Sequence, residues 1–160
     1  MSVFYRVSYT LGFHPWEDLA SHPPFADRLM SLVAREEHGV EPPYGRALDL
    51  GCGSAVWGVR LAQRGWQVTG IDIVEKALSR GRARVREAGV DVKLVQGDVT
   101  NLRNAGIGTE FRLVLDTGTF HGLSDTQRHA MGREVTARVW RCNASDSAAP
   151  RFMRRAPPRR

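Results

Sequence analysis

The stretch Ala47-Leu48-Asp49-Leu50-Gly51-Cys52-Gly53-Ser54-Ala55, "ALDLGCGSA", decides how the chain is read. An apolar run that breaks at two glycines is a short buried strand entering a tight turn. Glycine reaches backbone conformations closed to other residues and lets a ligand come close to the main chain. Beyond the turn, "SAVWGVRLAQRG" sets Val56, Val59 and Leu61 at helical spacing, with Ser54 as an expected N-cap and Gly65 as a stop.

Working outward, the same alternation repeats. "WQVTGID" reads as a second strand, followed by a helix over "IVEKALSRGRARVREAG", where Asp72 and Glu75 have capping-box spacing and Gly89 ends the run. "DVKLVQGD" is a third strand and "FRLVLDTG" a fourth, and a helix over "SDTQRHAMGREVTARVW" then opens on a Ser-x-x-Gln capping box. Upstream, "HPPFADRLMSLVAREEHG" predicts an amphipathic helix with Phe25, Leu29, Leu32 and Val33 on its buried face and a stop at Gly39. Strands joined by helices of this length need crossover connections, so the expected fold is α/β, a doubly wound parallel sheet.

Composition narrows the function classes. A chain of 160 residues, 42% hydrophobic and 25% charged, is expected to form one globular domain with a real core. No apolar run is long enough to span a bilayer and the N-terminus has no leader pattern, so the expected setting is the cytoplasm, with no membrane partner. Cys52 and Cys142 are too few for a disulfide framework, and no metal site is expected. The net charge of +6 lies wholly in the last 23 residues, while the first 137 carry equal numbers of acids and bases. A neutral body with an arginine-rich end is a solvated tail, not a nucleic-acid surface.

The turn has the wrong residues for a phosphate cradle. A dinucleotide fingerprint would put a third glycine where Val56 stands, and a phosphate-binding loop of the nucleotide triphosphatase kind would need a lysine. Asp49 at the end of the first strand would repel a pyrophosphate and suits a ligand bearing positive charge. Asp72, 23 positions later at the end of the second strand, stands where a carboxylate can accept from two ribose hydroxyls. Asp98 closes the third strand, where a carboxylate can accept from an exocyclic amino group.

Together "LDLGCGSA", "GID", "QGDVTNL" and "FRLVLDTGTFHGL" resemble the successive motifs of the class I S-adenosylmethionine-dependent methyltransferases, over roughly residues 25–137. The resemblance implies a Rossmann-like methyltransferase fold with S-adenosyl-L-methionine as cofactor and a small-molecule methyl acceptor. It implies a methionine cradle at Asp49, Gly51, Cys52 and Gly53, ribose recognition at Asp72, and adenine contacts at Ile73, Asp98 and Val99. Asp116 and Thr117 match the segment that passes beside the methyl donor. The opening "YTLGFHPWE" is similar to the lid of the thiopurine and tellurite-resistance branch, which makes Trp16, His14 and Phe13 candidate acceptor contacts, and His121 is a candidate base.

The family's sheet continues past its fourth strand, whereas here the last 23 residues show no strand pattern. The expected organisation is therefore an incomplete methyltransferase domain over 1–137, lacking the C-terminal strands of its sheet, and a disordered Arg/Pro/Ala-rich tail over 138–160. "FRLVLD" then becomes an unpaired edge through which the chain is expected to self-associate. Two readings remain open alongside catalysis: a cofactor-binding or interaction fragment without turnover, and, further off, an NAD-dependent oxidoreductase.

Overall fold

The computed structural model describes residues 22–139. Helix α1 (Pro23–Glu37) starts on two prolines at its first turn, where a missing N–H costs nothing. Strand β1 (Arg46–Leu50), helix α2 (Val56–Arg64), strand β2 (Gln67–Asp72), helix α3 (Glu75–Glu87) and strand β3 (Val92–Gln96) follow. Strand β4 (Phe111–Asp116), a 3-10 turn (Phe120–Gly122) and helix α4 (Asp125–Thr136) complete the described elements. All strands are parallel, in the order β3-β2-β1-β4, so the chain winds from β1 through β2 to β3 and then returns to the other side of β1. That reversal puts a topological switch point between β1 and β4, at the carboxyl ends where open α/β sheets bind ligands.

Alternate residues of β1 face opposite layers, as a pleated strand requires. Ala47 packs with Val68, Val92 and Leu115 under Trp57 and Leu61 of α2 and Val33 of α1. Leu48 and Leu50 pack with Ile71 against Val99, Leu102, Leu123 and Met131 on the other side. Both faces are covered, which makes the fold doubly wound.

Several local expectations are corrected. The inward stripe of α1 is Ala26, Leu29, Met30, Val33 and Glu37, and Phe25 and Leu32, expected to be buried, are 37% and 41% exposed. Phe25 lies beside that stripe and meets the edge of Trp57. Helix α2 is not capped by Ser54: its N-cap is Ala55, in the left-handed conformation, and Ser54 is buried with its carbonyl and hydroxyl both taking the Arg84 guanidinium. Helix α3 starts at Val74 without a side-chain cap, because Asp72 is drawn to backbone amides and Glu75 pairs with Arg82. Only the Ser124–Gln127 box forms as expected, capping α4.

Arg138, read above as the start of the tail, belongs to the fold. It is buried, its carbonyl accepts from Phe111 N, and its guanidinium donates to the Ile107 and Glu134 carbonyls and pairs with the Glu134 carboxylate. A parallel bridge between Val139 and Phe111 starts a pairing on the outer side of β4.

A second fastening joins α1 to the sheet. The carboxylate of Glu37 accepts from Arg64 Nε and from Trp66 Nε1, both at 2.8 Å, and pairs again with Arg64 Nη2. Hydrogen bonding to the Arg64 guanidinium holds Glu37 below the ordinary glutamate range. Glu37→Ala strands a buried indole N–H and is expected to lower stability by about 1–3 kcal/mol in chemical denaturation. A lowered folded-state pKa stabilises above the ordinary glutamate range, and that contribution fades as pH falls through the folded value. Wild type and variant should therefore converge in acid, and a gap unchanged with pH would contradict this account.

Candidate functional site

At the carboxyl end of β1 the chain turns through three residues of positive φ, Gly51 (+66°), Gly53 (+54°) and Ala55 (+59°). The turn is fastened to β2 by Cys52 N donating to the Ile71 carbonyl at 3.0 Å and Gly53 N donating to Asp72 Oδ2 at 2.9 Å. Asp72 Oδ1 accepts from Val74 N at 2.8 Å, so one carboxylate holds the ends of two loops.

The other strand-end acids work likewise. Asp98 Oδ1 accepts from the amide and hydroxyl of Thr100, both at 2.8 Å. Asp116 accepts from the amides of Gly118, Thr119 and Phe120 at 2.8–3.0 Å, which folds the loop after β4 back on itself. That loop delivers the Thr119 hydroxyl to the Leu50 carbonyl at 3.2 Å. A Cβ built on Gly51 would stand 1.7 Å from this oxygen. The glycine expected to admit a ligand thus admits a threonine. Nothing in the spacing of "DTGTF" signals this contact, which depends on β1 and β4 being neighbours.

Asp49 differs from its neighbours. Its side chain is buried, and neither carboxylate oxygen has a hydrogen-bond partner. Its Oδ2 lies 3.7 Å from where a Cβ on Gly58 would stand, beneath the first turn of α2. Burial first, then the charges of Asp72 and Asp116, push Asp49 up to about 7, and the Gly58 amide opposes this only in part. Asp72 is raised too, chiefly by burial, against the pull of its amide donors. The Cys52 thiol is driven up by burial and packs against Gly70, so it is a small turn residue and not a thiolate nucleophile.

The remaining expected residues are placed as follows. The Val99 side chain is buried in the lower core, and Ile73 packs beside Val74 and Ala77. Thr117 is half-buried at the end of β4. His121 is exposed on the 3-10 turn, its carbonyl accepting from Arg128. Phe13, His14 and Trp16 lie outside the described residues. An open groove of about 870 Å³, lined by Phe120, Arg128, Arg133 and Thr136 among others, runs along α4 and not over the turn.

The turn therefore lies beside two tied carboxylates, Asp72 and Asp116, and one untied, Asp49, and the Arg84 guanidinium is committed to Ser54. A cationic ligand fits this donor set. The orphaned oxygens of Asp49 supply an acceptor that no described residue uses.

Comparison with known proteins agrees. A family model described as "Methyltransferase domain" matches residues 47–141. The chain is 35% identical over 68 residues to a ribosomal RNA small subunit methyltransferase C of Alcanivorax borkumensis, covering 42% of this chain and 21% of that protein. It is 26% identical over 113 residues to a 2-heptyl-1-hydroxyquinolin-4(1H)-one methyltransferase of Mycobacteroides abscessus, covering 67% of this chain and 47% of that one. The chain thus spans less than half the length of these relatives. Magnesium protoporphyrin IX methyltransferase of Synechocystis PCC 6803, solved with bound S-adenosylhomocysteine, has the same fold, with a TM-score of 0.67 at 19% identity over 85% of this chain and 67% of that one.

The Gly51–Thr119 contact is open to test. Gly51→Ala is expected to cost at least about 2 kcal/mol, from left-handed geometry and steric overlap together. Thr119→Ala alone should cost about 1 kcal/mol. The double variant should be more stable than the sum predicts by about 1 kcal/mol, because the closest overlap, with the hydroxyl, is relieved and only the tight approach of the two Cβ atoms is left. Strict additivity in thermal or urea unfolding would show that the two residues do not meet.

Proposed function

Since the chain belongs to the class I S-adenosylmethionine-dependent methyltransferases, we propose that its described residues are the cofactor-holding part of an enzyme that methylates a small-molecule acceptor. The observation that carries this reading is the unpartnered carboxylate of Asp49 under the glycine turn. In this assignment Asp49, Gly51, Cys52 and Gly53 hold the methionine end, Asp72 takes the ribose hydroxyls, and Ile73, Asp98 and the backbone at Val99 receive the adenine. Asp116 and Thr117 border the methyl donor.

Bound S-adenosylmethionine supplies an electrophilic methyl group on a positively charged sulfur. What this chain's residues contribute is placement: the carboxylates fix the loops so that orientation and water exclusion do most of the work. Asp72 keeps free lone pairs on both oxygens beside its amide donors, so it can hold the turn and accept from a ligand together. His121, exposed on the 3-10 turn next to Asp116, is the side chain proposed to take a proton from an acceptor that needs deprotonation. Trp16 and His14 are proposed to cover the acceptor.

A small molecule is preferred over ribosomal RNA because the first 137 residues carry no net charge, whereas an RNA acceptor calls for a basic surface. Among the described residues no helix is long and apolar enough to cross a membrane, and a cytoplasmic setting is proposed. A second reading, an interaction fragment without turnover, is favoured by β4, which on its outer side pairs only through Phe111 and Val139 among the described residues.

Calorimetric titration with S-adenosylmethionine and S-adenosylhomocysteine tests the first reading. Binding is expected for both, and Asp72→Ala should weaken it by about 10- to 100-fold through loss of charge-assisted hydrogen bonds. No heat from folded protein, or equal binding by the variant, overturns the cofactor assignment. Size-exclusion chromatography tests the second: a well-behaved monomer across concentration counts against association through β4.

A further inference from the structure

Asp49 is the one strand-end acid to which the fold gives nothing. Asp72, Asp98 and Asp116 each accept from backbone amides, whereas both oxygens of Asp49 are buried and unpaired at 1% residue exposure. Among the described residues, the charged groups whose fields reach it, Asp72 from β2 and Asp116 from β4, both oppose its ionisation. The Cys52 thiol of the turn faces it as a neutral group. Helix α2 offers the amide of Gly58 without closing a hydrogen bond, and on α3 Arg84 is spent on Ser54. A carboxylate so placed is desolvated with no hydrogen-bond partner, so the free protein holds its proton through mildly acidic pH and gives it up only as pH rises past neutrality.

We propose that Asp49 selects the ligand's charge: it is a neutral acid in the free protein and gives up its proton when a ligand bearing an ammonium group enters the glycine turn. This inference rests on the cofactor reading above. In the exchange the Asp49 O–H bond breaks, the electron pair stays on the carboxylate, the proton passes to the buffer, and the ligand's ammonium keeps its own protons. A nucleoside thioether lacking the amino-acid end brings no charge to stabilise the carboxylate and leaves the proton in place. Asp49 is thereby a specificity-determining residue whose action is visible as proton release.

The sign of the stability effect follows. A carboxyl raised to about 7 in the folded state favours folding most fully below the ordinary aspartate range, and that contribution is lost as pH rises through the folded value. Asp49→Asn should therefore melt above wild type at pH about 8, with the gap closing towards pH about 5, while binding the cofactor more weakly.

The test is calorimetry of the full chain with S-adenosylhomocysteine in two buffers of different ionisation enthalpy. About one proton released per ligand is expected at pH 6 and about half at pH 7, with affinity roughly tenfold higher at pH 8 than at pH 6. 5′-Methylthioadenosine, the same nucleoside without the ammonium, should release none, and Asp49→Asn should abolish the release. Equal heats in both buffers at pH 6 and pH 7 overturn the inference and leave the cofactor reading standing. Release that survives Asp49→Asn but not Asp72→Asn overturns it as well. Absence of any binding by protein with a cooperative melt overturns both. The wild-type arms need no variant to fold.

Discussion

The hydrogen bond from Gly53 N to Asp72 Oδ2 is the constraint on which the site depends. It joins the turn after β1 to the end of β2, and through Oδ1 the same carboxylate fixes Val74, where α3 starts. A neutral side chain at position 72 could bridge the gap only with weaker bonds, since charge-assisted acceptance from amides is about twice as strong. The turn needs the help, because three of its five residues sit at positive φ. Held there, it presents backbone to the switch point between β1 and β4 instead of collapsing onto the sheet.

That switch point is where the two loops meet. β2 and β3 lie to one side of β1 and β4 to the other, so the loops after β1 and β4 leave adjacent strand ends with nothing between them. Asp116 folds its own loop over three amides, and Thr119 closes the gap by reaching the Leu50 carbonyl. Asp72 and Asp116 therefore do structural and electrostatic work together: each stabilises a loop and adds negative potential at Asp49. Asp49 feels that potential from both sides.

How far the sequence could be read follows from how local each cause is. The apolar run over residues 47–50 was legible as the first strand, because such a run ended by glycine has few alternatives, and so was the Ser124–Gln127 box, whose partners are three residues apart. The caps of α2 and α3 were not, because Ser54 answers to Arg84 and Asp72 to Gly53, contacts that only the folded sheet creates. The buried stripe of α1 was misread at Phe25 and Leu32 because helical spacing gives a face its width but not its rotation against a sheet. Arg138 looked like tail from composition and is a buried clip, since its value lies in carbonyls of Ile107 and Glu134 that composition does not report. For the site, the acids Asp49, Asp72, Asp98 and Asp116 were all visible as strand ends. Which of them the backbone would occupy was not.

Ala55 shows why the turn tolerates a residue that should not be there. A left-handed alanine costs roughly 1–2 kcal/mol against a right-handed one, and glycine at this position would remove that strain. The methyl group is fully buried, however, and its neighbour across the interface is Gly81 of α3, where an added Cβ would come within 3.3 Å of it. Burying one methyl gains about 0.8 kcal/mol, comparable with the strain, and it fills the space that Gly81 leaves as α3 crosses behind the turn. Leu94 and Ser54 line the rest of that contact. A glycine pair at 55 and 81 would relax the backbone but open a void between the turn and α3. The left-handed alanine is thus a packing solution: strain at one residue is accepted so that the turn has a floor as well as a tether.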